Sequence, residues 1–208
     1  MSETGSFIVF EGIDGSGKST QAKLLAKRIG ALFTIAPGGT DFGLEVRNLV
    51  LHSNQELNDR TEALLMLADR SQHVSDVILP ALRSKKSVVC DRFNGSTIAY
   101  QGYGRGLDVK ELELVTRWAS MNVEPDLYIL LDISPETASR RRIERNKSND
   151  RMESEELHFQ ERVRQGYLKI AKESDNWSVV DASLTADEVE RSIKEVVAAK
   201  FAKVMELN

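Results

Sequence analysis

Residues 12–19 constrain the fold of this chain more than any other stretch. They read G-I-D-G-S-G-K-S and fit the phosphate-binding loop pattern G-x-x-x-x-G-K-[ST]. An apolar run precedes the loop at 7–10, and apolar residues at helical spacing follow it at 20–29. A strand, a glycine-rich turn and a helix in this order predict backbone N–H groups aimed at phosphate oxygens, with a helix dipole behind them. We expect these residues to bind nucleotide phosphates: Gly12, Ile13, Asp14, Gly15, Ser16, Gly17, Lys18, Ser19 and Thr20.

The end of this loop carries the candidate chemistry. Lys18 supplies a mobile charge that can follow a transferring phosphoryl group, and the Ser19 hydroxyl can hold Mg²⁺. The alternative is a structural glycine turn with a surface lysine. The flanking strand and helix argue against that alternative.

Length and composition predict one globular domain over residues 1–208. The net charge is -4, so no global basic field favours a nucleic acid or a membrane as partner. A single cysteine, Cys90, lies in an apolar run, which indicates a buried thiol in a reducing compartment. Residues 1–6 show no signal-peptide pattern and no run of about 18 apolar residues occurs, so we expect a cytoplasmic protein.

Short apolar runs alternate with helical patterns along the whole chain. Further strands are predicted at 33–36, 87–92, 125–132 and 177–181. The alternation predicts a three-layer α/β/α P-loop fold with a central parallel sheet of about five strands. A long helical stretch at 58–85 contains Pro80, which should kink it or divide it in two.

Polar and charged residues gather where the predicted sheet ends. Asp91 and Arg92 close the third strand, and ligands bind off the carboxyl ends of such strands. A structural ion pair is the alternative. The stretch 94–106 is dense in hydroxyl, amide and aromatic groups suited to a flat heterocycle, unless it is a polar helix with a flexible loop. Its candidate ligand-binding residues are Ser96, Thr97, Tyr100 and Gln101.

A basic cluster stands out at residues 140–151. It carries a charge of +4 in an otherwise acidic chain. We interpret residues 140–153 as a short arginine-rich lid over a nucleotide triphosphate, with nucleic-acid binding as the alternative. The basic residues are Arg140, Arg141, Arg142, Arg145, Lys147 and Arg151.

The P-loop by itself does not name a reaction. The guanine-binding pattern N-K-x-D is not matched, because residues 146–149 read N-K-S-N. A small single-domain kinase is the favoured class. A non-catalytic ATP-binding module is the alternative from another class. The presence of Lys18, Ser19, Asp91, Arg92 and the basic lid argues against it, since a pure binder has no need of a lid.

The chain resembles the thymidylate kinase family over nearly its whole length. The segments that carry the resemblance are F-E-G-I-D-G-S-G-K-S-T (10–20), P-G-G-T (37–40), R-N-L-V-L (47–51), D-R-S-Q-H-V (69–74), D-R-F (91–93), S-T-I-A-Y-Q-G-Y-G-R-G-L (96–107), P-D-L-Y-I-L-L-D (125–132), D-R-M-E (150–153) and R-V-R-Q-G-Y-L (162–168). The segment at 96–107 with the D-R pair discriminates far better than the P-loop alone.

This resemblance implies phosphoryl transfer from Mg-ATP to dTMP, giving dTDP for dTTP biosynthesis. It places the acceptor phosphate between Arg47 and Arg92, whose planar guanidinium groups suit phosphate. Asp14 would face the sugar 3′-hydroxyl. Ser19 and Asp91 would form the metal site.

The resemblance also implies how the base and the lid are used. Arg70 would hydrogen-bond the thymine edge with Thr97 and Gln101 beside it, and Tyr100 would lie under the sugar. Gly15 in the loop, where some members have arginine, implies that catalytic arginines come from the lid, with Arg145 and Arg151 as the candidates.

Two positions depart from the family pattern. Ala36 stands before Pro37 where many members have a charged residue, and Met66 stands where phenylalanine often stacks on thymine. These changes keep a kinase for dUMP or dCMP as an alternative. The resemblance further implies a cis bond before Pro37 and a homodimer, for which we expect the 58–85 helix to form the contact face.

Overall fold

The computed structural model describes residues 5–51, 56–144 and 157–201 of the chain. The strands are β1 (Phe7–Glu11), β2 (Leu32–Ile35), β3 (Val88–Asp91), β4 (Leu127–Asp132) and β5 (Trp177–Asp181). The helices are α1 (Lys18–Arg28), α2 (Asp41–Leu51), α3 (Asp59–His73), α4 (Leu79–Arg83), α5 (Asn94–Thr97), α6 (Val109–Ala119), α7 (Pro135–Glu144), α8 (Leu157–Lys172) and α9 (Ala186–Lys200). Two π-helical segments, Val74–Ile78 and Ile98–Gly104, continue α3 and α5.

The five strands form one parallel sheet in the order β2-β3-β1-β4-β5. This confirms the predicted α/β architecture. Strands β1 and β3 are buried on both faces, as their continuous apolar sequence predicts. The register places Phe10 of β1 opposite Asp91 of β3, so the loops after these strands emerge side by side. The order of strands reverses at β1, where ligands bind in open α/β sheets.

Side chains of β1 alternate between the two faces of the sheet. Ile8 and Phe10 pack in the larger core cluster, to which α1, α8 and α9 contribute. Phe7 and Val9 pack with Val74 and the other apolar residues of the opposite face. Helices therefore cover both faces, and the acidic residues Glu11 and Asp91 lie at the carboxyl ends of β1 and β3.

Pro80 predicts that the 58–85 stretch is kinked or divided in two, and the structure interrupts it with a wider helical turn just before the proline. Helix α3 passes into α4 through the π-helical turn Val74–Ile78, and Pro80 lies in the first turn of α4. The wider turn accommodates a residue that has no N–H to donate. The segment 94–104 is likewise helical throughout and largely buried, so it is not a polar helix with a flexible loop.

Three further observations concern the chain as a whole. The Ala36–Pro37 peptide bond is cis, as the resemblance implied. Cys90 is a buried free thiol, and burial raises its pKa well above the usual value. Among the residues that the structure describes, no helix combines the length and the apolar character needed to span a bilayer.

Candidate active site

The phosphate-binding loop leaves a helix end open for an anion. Helix α1 begins at Lys18, and its cap residue Gly17 has φ 91° with no side chain bonded to the first turn. Gly15 also has a positive φ, and a Cβ there would lie 2.5 Å from the carbonyl oxygen of Ala138 in α7. Only glycine fits this approach, so the loop packs directly on the backbone of α7.

Asp14 links the two cations of the loop region. Its carboxylate accepts a hydrogen bond from Lys18 Nζ at 3.1 Å and pairs with the guanidinium of Arg92. The Tyr100 hydroxyl donates to the other oxygen at 3.0 Å. Burial opposes ionisation, but the charges of Arg92 and Lys18 outweigh it and hold the pKa of Asp14 well below its usual range. Asp14 is therefore ionised at neutral pH.

Arg92 is the most extensively bonded side chain of the site. It follows β3 in a left-handed backbone conformation, φ 76°, which is strained for a residue with a side chain. Its Nη1 donates to the carbonyl of Gly12 at 3.0 Å, to Ser96 Oγ at 3.0 Å and to the Tyr167 hydroxyl at 3.1 Å. Its guanidinium also lies over the ring of Tyr100. These contacts offset the backbone strain and hold Arg92 beside the P-loop.

A buried carboxylate stands behind Arg92. Glu11 is fully buried and accepts hydrogen bonds from the backbone N–H groups of Phe93 and Ser96, from Ser96 Oγ and from the Tyr167 hydroxyl. Burial raises the pKa of Glu11, although the hydrogen bonds from the Ser96 hydroxyl, the Phe93 N–H and the Tyr167 hydroxyl and the charge of Arg92 oppose that change. Burial also raises the pKa of Tyr167, so its hydroxyl stays protonated and can donate. Glu11, Ser96 and Tyr167 thus form a connected support for Arg92.

One cleft collects most of the residues proposed from the sequence. Including its open mouth, it has a volume of about 830 Å³. The sequence-predicted residues that line it are Asp14, Lys18, Ser19, Arg47, Met66, Arg70, Asp91, Arg92, Ser96, Thr97, Tyr100 and Gln101. The P-loop end and the predicted base-binding end therefore belong to a single cavity.

The predicted base-binding end of the cleft contains hydrogen-bond donors of Arg70 that have no partner among the described residues. Arg70 is 3% exposed, its guanidinium stacks on the Phe93 ring, and its Nε and Nη1 have no hydrogen-bond partner within residues 5–51, 56–144 and 157–201. Nearby, the side-chain amide of Gln101 donates to the buried carboxylate of Glu62 at 2.9 Å. Unpartnered buried donors are costly, so this end of the cleft fits a ligand with acceptor oxygens.

Ser19 and Asp91 are neighbours, as expected for a shared metal site. The Ser19 hydroxyl donates to Asp91 Oδ2, and the buried Oδ1 of Asp91 has no partner among the described residues. A carboxylate oxygen that has no partner among the described residues, next to a hydroxyl, provides the oxygen ligands that Mg²⁺ prefers. No cluster of three or more His, Cys, Asp or Glu residues occurs in the described part of the chain.

Two arginines assigned to the lid belong instead to the body of the protein. Arg142 is buried on α7 and donates to the carbonyl of Asp14, and Arg141 donates to the carbonyls of Ala182, Ser183 and Leu184. The two lid residues predicted to be catalytic, Arg145 and Arg151, lie outside the described residues. Arg47, proposed for the acceptor phosphate, lines the cleft and donates to the carbonyl of Pro37 at 3.0 Å.

Sequence reasoning missed the residues that hold the site together. Glu11 could have been noticed, because a carboxylate at the end of a buried apolar strand needs partners. Tyr167 and Arg142 gave no comparable signal, since their partners are distant in the chain.

A phosphate-binding loop at the switch point of a parallel sheet, opening into a cleft lined by arginines, defines a P-loop phosphotransferase that acts on nucleotides. A family model described as thymidylate kinase matches residues 10–193. The chain therefore belongs to the thymidylate kinase family, and it is a kinase.

Individual relatives agree with this assignment. Thymidylate kinase of Pelotomaculum thermopropionicum is 48% identical over 186 residues, which cover 86% of each chain. Thymidylate kinase of Leifsonia xyli is 44% identical over 91% of this chain and 93% of the relative. The crystal structure of thymidylate kinase from Ehrlichia chaffeensis matches with a TM-score of 0.77 at 34% identity, covering 92% of this chain and 97% of that one.

Proposed function

We propose that this enzyme transfers the terminal phosphoryl group of Mg-ATP to dTMP and so supplies dTDP for dTTP biosynthesis. The observation that carries the proposal is the single cleft, which joins the P-loop to Arg70, Thr97 and Gln101. Family membership supports dTMP as the acceptor and does not favour dUMP or dCMP.

The phosphate end of the cleft acts by position and charge. Arg92 is fixed by its neighbours, so its positive charge stays in place for an acceptor phosphate during the reaction. Lys18 Nζ forms an ion pair with Asp14, and it can exchange this ion pair for a phosphate oxygen when the phosphoryl donor binds. Asp14 then stays paired with Arg92, in reach of the hydroxyl of Tyr100 and of a sugar hydroxyl. No covalent enzyme intermediate is needed.

The base end recognises thymine by its carbonyl edge. The Nε–H and Nη1–H of Arg70, which have no partner among the described residues, suit a carbonyl oxygen, and Thr97 and Gln101 line the same cleft. Met66 lines the same wall and supplies a thioether against the ring.

Mg²⁺ would be held by Ser19 and Asp91, where it would neutralise charge on the donor phosphates. The hydroxyl–carboxylate contact already brings these two oxygens together. Arg145 and Arg151 stay our candidates for lid arginines that complete the site when the donor is bound.

The experiment is a measurement of ADP release with Mg-ATP against dTMP, dUMP, dCMP, UMP and AMP. We expect strong preference for dTMP, and loss of turnover in Lys18→Met. Preference for another monophosphate would overturn the assignment of the base end. Turnover with none of the five would instead favour a nucleotide-binding module.

We further propose a cytoplasmic homodimer. On α6, Leu114 is 69% and Trp118 is 80% exposed, and Leu64 of the adjacent α3 is 65% exposed. Such an outward apolar stripe on neighbouring helices suits burial against a second copy. Light scattering should give the mass of two chains for wild type and for Leu24→Arg on α1, and of one chain for Trp118→Arg. A wild-type monomer would contradict the proposal.

A further inference from the structure

Arg142 contacts the phosphate-binding loop from outside it. The residue lies on α7, is 8% exposed, and its Nη1 donates to the main-chain carbonyl oxygen of Asp14 at 2.8 Å. Arg141, one position earlier, turns the other way and bonds the loop after β5. Of these two neighbouring arginines, Arg142 therefore contacts the P-loop and Arg141 does not.

The carbonyl that Arg142 binds shares a peptide group with a donor of the loop. A trans peptide is planar, so the C=O of Asp14 and the N–H of Gly15 point in opposite directions. The N–H of Gly15 has no hydrogen-bond partner in the part of the chain that the structure describes. Holding the carbonyl on the α7 side thus turns this N–H to the other side of the loop as a free donor.

The orientation of the Asp14–Gly15 peptide has to be stabilised because a glycine flanks it. Gly15 has φ 92°, a conformation that glycine enters and leaves at little cost. A flipped peptide would aim a carbonyl oxygen at the bound phosphate in place of an N–H. Close packing of Gly15 on Ala138 limits movement of the loop as a whole, but Arg142 makes the hydrogen bond that fixes the direction of this carbonyl.

We propose that Arg142 is a positioning residue for the phosphoryl donor, which keeps the Asp14–Gly15 peptide oriented so that the Gly15 N–H binds a donor phosphate. The inference rests on the proposed use of the P-loop for ATP. It assigns to Arg142 a role in donor binding and none in acceptor binding, because Arg142 does not line the cleft that holds Arg92 and Arg70.

The test titrates ADP into three variants and wild type by calorimetry. Arg142→Met removes the donor and should weaken ADP binding about tenfold, as expected for a hydrogen bond from a charged group. Arg142→Lys keeps one donor and should recover most of the affinity. The control is Arg162→Met, because Arg162 also donates to a backbone carbonyl, that of Gly104, away from the loop.

Two further readouts separate positioning from a general structural effect. The KM for ATP should rise in Arg142→Met while the KM for dTMP stays within about twofold. In ¹⁵N spectra, the Gly15 amide proton should shift downfield on adding ADP to wild type and not to Arg142→Met.

These measurements distinguish a failure of the role proposed for Arg142 from a failure of the proposed function. ADP affinity in Arg142→Met equal to that of Arg162→Met would overturn the proposal, and so would a lysine variant no better than methionine. Lack of dTMP turnover by wild type would refute the proposed function instead, and the ADP titrations would still decide the role of Arg142.

Discussion

Substitution of His73 should change how the stability of this protein depends on pH. The ring is fully buried, its Nε2 contacts Thr34 Oγ1 at 2.6 Å, and its Nδ1 has no partner among the described residues. Burial, with the nearby positive charge of Arg70, lowers the pKa of His73 from 6.5 to about 3. The imidazole is therefore neutral in the folded protein under ordinary conditions.

The sign and size of the pH effect on the free energy of unfolding follow from proton linkage. The unfolded chain takes up a proton on His73 near pH 6.5, and the folded chain does not until about pH 3, so stability falls as pH falls through this window. Between about pH 7 and pH 5 the loss from this one group is about 2 kcal/mol. For a chain of this size that corresponds to a decrease in Tm of about 4–8 °C.

Thermal melts of wild type, His73→Gln and His158→Gln across this range test the reasoning. His158 is exposed on α8, so its variant should keep the wild-type pH dependence. His73→Gln should lose about 2 kcal/mol less than wild type on acidification. Glu11 and Asp69, whose pKa values burial raises, are present in all three proteins and cancel in the difference. Parallel curves for wild type and His73→Gln would refute the argument.

Other substitutions test the site directly. Met66→Phe should lower the KM for dTMP by about two- to tenfold through ring stacking, and an unchanged KM would remove Met66 from the base site. Tyr167→Phe loses contacts to Glu11, Ser96 and Arg92, so denaturation should show a loss of about 2–3 kcal/mol, and a loss below about 0.5 kcal/mol would contradict the support role. Asp91→Asn should raise the Mg²⁺ concentration for half-maximal rate about 10–100-fold, whereas an unaltered Mg²⁺ requirement would exclude Asp91 from the metal site.

The sequence pattern predicted the presence of helices and strands better than their exact boundaries and turn types. The strand at 177–181 has the predicted bounds, while β2 is Leu32–Ile35 against a predicted 33–36. The two π-helical segments were not predicted, because periodicity over one turn cannot distinguish a wide turn from an ordinary one. The predicted start of the lid was also wrong, since a run of arginines does not reveal that Arg141 and Arg142 bind backbone carbonyls of the protein body.

The sequence by itself determined the P-loop and its lysine, because glycines, Lys18 and Ser19 act within one short segment whose spacing sets the backbone. It also determined which residues close each strand, since apolar runs end where polar residues begin. Only the tertiary structure decided that β3 pairs with β1, which sets Asp91 and Arg92 beside the loop. It alone brought Glu11 to Tyr167 and Arg142 to Asp14, because contacts across 128 or more residues depend on the order of strands and the packing of helices, which no local pattern records.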